Sequence, residues 1–179
     1  MTPYKAYIQQ IHFDGTEYTK GSVVDILSKF NIACEKFPFK KNPAPKDLPK
    51  RDWAGAHGVD VYVPDVIPMK EYDIDVTFLY EGDESSIRND LSSFIDFIYG
   101  RIKGENTDTV QCGRLAIYDE YVGMGRKDVT VSAVDDDLFD ISECDPVAIA
   151  RFKVKFTVND PVTDVTPVKT GDVVTDLSF

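Results

Sequence analysis

The chain of 179 residues reads as a mainly β, α+β domain: an antiparallel β-sandwich or barrel-like body with one packed α-helix. Three patterns predict this. Residues 72–80, YDIDVTFLY, put Tyr72, Ile74, Val76, Phe78 and Tyr80 on one face and Asp73, Asp75 and Thr77 on the other, with Leu79 the exception. Residues 151–158, RFKVKFTV, alternate in the same way, so both are strands with one buried and one wet face. Between them, residues 84–99 place Ile87, Leu91, Phe94, Ile95 and Ile98 on a single stripe at helical spacing.

From the N-terminus, the first strand is expected at Ala6–Phe13, closed by the turn residues Asp14 and Gly15. Residues 23–30, VVDILSKF, fit either period. Residues 36–51, KFPFKKNPAPKDLPKR, carry six basic residues and one acidic, a net charge of +5. Pro38, Pro43, Pro45 and Pro49 bar a helix or central strand there, which predicts a long extended loop over 36–52. Glycine turns at Gly55 and Gly58 precede a short strand at 59–63. The helix over 84–99 is expected to be capped by Asp83 or Ser85 and ended by Gly100. Strands at Arg114–Asp119 and 128–134 flank a hairpin turn at Gly123-Met-Gly125. Asn159-Asp160-Pro161 ends the last alternating strand. A single domain over 1–160 is expected, with 161–179 as an extended C-terminal arm.

Charge bounds the function. Twenty Lys and Arg against 31 Asp and Glu give a net charge of -11, and outside the basic loop the chain carries -16. Such a field repels phosphate, which disfavours a general nucleic-acid binder. No apolar window is long enough for a membrane span, and the N-terminus lacks a signal peptide's apolar centre. Cys34, Cys112 and Cys144 are odd in number and far apart, and His12 and His57 are the only histidines. That predicts reduced thiols from a cytoplasm, with neither a disulfide framework nor a zinc cluster.

Residues able to carry chemistry are few. His57, between Gly55 and Gly58, reads as a turn histidine bonded to backbone rather than a general base. Asp135, Asp136, Asp137, Asp140 and Glu143 cluster, but without the spacing of a calcium loop, so a solvated loop between strands is expected. Asp73 and Asp75 share a strand face through alternation alone. No phosphate-cradling glycine motif and no nucleophile with a local base occurs. An enzyme is not expected, nor is a cofactor or a metal. The basic loop is the exception: either its lysines and prolines simply keep a surface loop solvated, or Lys40, Lys41, Lys46, Lys50 and Arg51 are candidate subunit-interface residues. The acidic remainder of a second copy is their natural electrostatic partner. A carbohydrate- or protein-binding module using Trp53, Tyr62, Tyr118 and Tyr121 on loops is the competing expectation.

The order of elements also resembles a known family. Gly55-Ala-His-Gly58-Val-Asp-Val-Tyr runs into Tyr72-Asp-Ile-Asp-Val-Thr-Phe-Leu-Tyr-Glu-Gly. A helix opened by acidic and serine residues follows, then Arg114-Leu-Ala-Ile-Tyr-Asp-Glu-Tyr, then a strand from Lys127, and a final alternating strand ending in Asp160-Pro161. From about Trp53 to Val165 this order resembles the N-terminal ring domain of distal tail proteins of long-tailed phages. It is also similar to tail tube proteins and to the tube proteins of type VI secretion. The resemblance implies a subunit of a phage or prophage virion tail, made in the bacterial host's cytoplasm. It implies a homo-hexameric ring joined partly by strand pairing, with neighbouring tail proteins as further partners. DNA would pass through the ring's channel in transit without being bound specifically, and no membrane would be involved.

Overall fold

A computed structural model describes residues 4–101, 113–144 and 147–179, with the side chains of 136–144 and 147 excepted. The protein is mainly β, with antiparallel sheets and, among the described residues, two helices. Seven strands form one sheet in the order β2-β1-β7-β8-β9-β6-β3. They are β1 (Ala6–Phe13), β2 (Tyr18–Asp25), β3 (Ile32–Cys34), β6 (Tyr72–Asp83), β7 (Arg114–Asp119), β8 (Met124–Cys144) and β9 (Val147–Val158). The hairpin β4 (Lys50–Asp52) with β5 (Val59–Val61), and the hairpin β10 (Thr166–Thr170) with β11 (Val173–Ser178), are separate two-stranded sheets.

The large sheet cannot be flat. Its edge strands β2 and β3 would lie about 29 Å apart across six flat strand spacings. Only the segment from Asp25 to Ile32 joins them, and most of it is the short helix α1 (Ile26–Phe30). Fully extended, that connection would span about 24 Å, and its helical turns shorten it much further. The sheet therefore curls until both edges meet α1. Residues 23–30 use both of their possible periods. The strand runs to Asp25, whose carboxylate caps the amides of Leu27 and Ser28, and the helix stops at Asn31 in the left-handed region, φ 56°.

The curl is filled by α2 (Ile87–Ile98) and by phenylalanines. Phe94 on α2 meets Phe78 at 5.2 Å, and Phe78 stacks on Phe152 at 5.4 Å. Both alternating strands are placed as the sequence predicts. Tyr72 to Tyr80 and Phe152 to Val158 send every second side chain into the core, and Leu79 stays exposed. The helix end is also as expected: Gly100 has φ 68°, and the amides of Gly100 and Arg101 return to the carbonyls of Phe97 and Asp96. The start is not. Ser86 holds the cap position without a side-chain bond, and neither Asp83 nor Ser85 caps there. The backbone of Asp83 accepts the Ser86 amide instead.

Three further expectations need correction. Residues 161–179 are not an extended arm. They fold back as the β10–β11 hairpin, and Val165, Val174 and Leu177 bury Tyr7, Ile11 and Ala116 on the outer face of β1 and β7. Gln9, almost wholly buried, donates to Asp176 and the Gly21 carbonyl and accepts the Leu177 amide. Second, β8 extends well beyond 128–134, so the backbone through the acidic run is strand rather than loop. The side chains of Asp136, Asp137, Asp140, Glu143 and Cys144 lie outside the described residues, as does Cys112. Third, Tyr118 is not a loop aromatic. It sits within β7 and packs half-buried against the second core.

The docked hairpin should be acid-sensitive. Burial alone would raise the Asp176 carboxyl, but hydrogen bonds from Gln9 and the nearby Lys20 ammonium outweigh it and hold it below the usual 3.8. At Asp160 burial is likewise outweighed, by bonds from Thr163 and Val162 and by Lys127. Carboxyls lowered in the folded state stabilise fully above their unfolded value and lose that contribution as pH falls through the folded one. Thermal melts are expected to be flat from neutrality to about pH 5 and to drop below about pH 4.

Candidate functional site

The basic loop is neither wholly extended nor wholly solvated. Its first residues form a strap. Phe37 is fully buried among Phe39, Phe78 and Phe156, with ring centroids 5.5 to 6.0 Å apart. The Phe37 amide donates to the buried Asp119 carboxylate at 2.7 Å, whose other oxygen accepts the Tyr121 amide at 2.8 Å. One buried acid thus fixes both the strap and the β7–β8 turn. At its neighbour Cys34, burial, and then the Asp119 charge, push the thiol up to about 12, so it stays protonated at neutral pH.

Beyond the strap the chain leaves the body as a ribbon. At its root Lys70 donates to the Ala44 carbonyl and Lys46 to that of Pro68, and Pro45 faces Met69. Farther out Tyr62 donates to Pro49, and Lys50, Arg51 and Asp52 pair with Val61, Asp60 and Val59. Gly55 and Gly58 turn the tip with φ 89° and 81°. The prolines forbid a regular ladder, since each removes a donor. Between the two paired regions Asp47 and Leu48 on one arm oppose residues 63–67 on the other, so the return arm bulges.

Among the described residues almost nothing covers this ribbon. Trp53, Val59, Val61, Tyr62, Val63, Val66 and Ile67 are all exposed, Val66 at 80%. The predicted interface cations line it from root to tip. Lys40 rests over the Tyr72 ring, Lys41 borders a groove beside the root, and Lys46 and Lys50 follow outward. Arg51 stacks on Trp53 at 3.6 Å. All five are exposed, and Lys41, Lys46 and Lys50 join no ion pair among the described residues. What the charge pattern did not reveal is the apolar bulge at 63–67. Its signal is the string Val-Pro-Asp-Val-Ile, apolar yet broken by proline, where no core-facing strand could run.

The other candidates are dispersed. His57 is exposed on the ribbon tip. Asp73 and Asp75 are on the wet face of β6. A hydrogen bond from Thr157 at 2.8 Å, helped by Lys155 at 3.4 Å, keeps the Asp73 carboxyl below its usual value despite slight burial. It is an ionised acceptor at neutral pH, unsuited to proton donation. Among the described residues no group of three or more His, Cys, Asp or Glu is placed to hold a metal, and no helix is long and apolar enough to cross a membrane. No protein family, characterised protein or solved structure matches the chain.

Proposed function

We propose that this protein is a structural subunit, self-assembling into a ring or tube of a phage or phage-like tail around a DNA channel, and that its ribbon is an assembly contact. One observation carries the assembly role: a two-stranded ribbon that leaves a run of apolar side chains exposed. Such a ribbon is marginal in water on its own, and a contiguous exposed apolar patch on a folded protein marks an interaction site. The acidic body and the basic segment 36–51, which supplies the strap and the ribbon's outgoing arm, make a second copy the fitting partner, and strong negative charge suits a channel that passes phosphate without holding it. The tail assignment rests on the resemblance in element order.

Light scattering across concentration, with electron micrographs of the largest species, tests it. Annular or tubular particles are the expected result. A strict monomer at high concentration with no rings overturns the role. Trp53 and Tyr62, exposed on one ribbon with Arg51 stacked on Trp53, favour a second reading, a carbohydrate- or protein-binding module without catalysis. Glycan-array binding abolished by Trp53→Ala would select it.

A further inference from the structure

The bulge and the groove beside the ribbon root have complementary surfaces. The groove, about 770 Å³, lies between the root, the β7–β8 turn and the segment leading into β10. Met69, Val122, Met124 and Val162 give it apolar walls. Three charged side chains line it. Arg126 is almost wholly buried and bonded to Asp164 and to the Lys40 carbonyl, so that pair cancels locally. Lys41 is left as the uncompensated charge. The bulge has the opposite character: Val63 is 61% and Val66 80% exposed, with the exposed Asp65 between them. Within one molecule the bulge does not line the groove.

We propose, building on the assembly role above, that residues 63–67 of one copy dock in this groove of a second copy, with Asp65 paired to Lys41. The apolar residues either side of Asp65 cover the groove walls, and the aspartate sets the register against the single free cation at the site among the described residues. Each copy then offers one bulge and one groove. Used head-to-tail, the contact repeats into a ring or filament; exchanged reciprocally, it gives a two-fold dimer, and the size of the sedimenting particle distinguishes the two.

The test is a charge exchange in the full chain, read by sedimentation velocity with thermal melts as the check on folding. Asp65→Lys alone and Lys41→Glu alone are each expected to weaken self-association roughly tenfold or more by setting like charges together. Both residues are exposed, so melting temperatures should match the unaltered protein. Association is expected to return when both substitutions are in one chain. It should also return when the two single variants are mixed, because alternating copies satisfy every contact. If the unaltered protein associates while the single variants do so equally well, or the exchange restores nothing, this docking is wrong and the assembly role stands. If a different protein's peptide occupies the groove, self-association ignores both substitutions, and the docking is equally wrong. If the unaltered protein never self-associates, docking and assembly role fall together.

Discussion

Phe78→Ala is expected to lower stability by about 3–5 kcal/mol, the usual range for deleting a fully buried phenylalanine. Phe78 is the hub of the core. Its ring lies 5.2 Å from Phe94 of α2, 5.4 Å from Phe152 of β9 and 6.0 Å from Phe37 of the strap. Removing it opens a void where helix, sheet and strap meet, and none of the three can collapse inward without dragging the other two. For a chain of this length the loss corresponds to a fall in melting temperature on the order of 10 °C. Thermal or urea unfolding measures it. A loss under about 1 kcal/mol would mean that the phenylalanine cluster does not hold these layers together.

The second large effect is expected at Asp119. Its carboxylate accepts the Phe37 amide at 2.7 Å and the Tyr121 amide at 2.8 Å, and the residue is 1% exposed. Asp119→Ala leaves the buried Phe37 amide without a partner, at about 1–3 kcal/mol, and also removes the acceptor of the Tyr121 and Val122 amides, which water at the exposed turn can partly replace. A combined loss of about 2–3 kcal/mol is expected. Asp119→Asn should fall between, since its one carbonyl oxygen satisfies one amide while its own NH2 faces the other. The consequence reaches the ribbon. A strap no longer held at Phe37 frees the root at Lys40 and Lys41, so association should weaken even where the variant still folds. Asp119→Ala with unchanged stability would remove Asp119 as the anchor.

How legible these features were depends on how many faces of each element are covered. β6 and β9 show in the sequence because each buries one face and wets the other. β1, AYIQQI, does not alternate, because both of its faces are covered. Ala6 and Ile8 point into the curled sheet, while Tyr7, Gln9 and Ile11 lie under the C-terminal hairpin. That hairpin was hidden by its threonines and aspartates, although Gly171-Asp172 between two β-branched runs is a hairpin signal. Phe37 and Phe39 were masked by the lysines and prolines around them. The five cations proposed for the interface were legible as charge. Their spread along a ribbon was not, because proline spacing excludes a regular strand but does not reveal two irregular arms bonded to each other. The groove draws its walls from segments far apart in the chain, so no local string could reveal it.

Amide hydrogen exchange of the full chain at low and high concentration tests the ribbon's part most directly. The amides of β4 and β5 should exchange rapidly when dilute and become protected as copies associate, while those of β6 and β9 stay equally slow throughout. If β4 and β5 exchange at one unchanging rate at every concentration, whether or not particles form, the ribbon is not what joins one copy to the next.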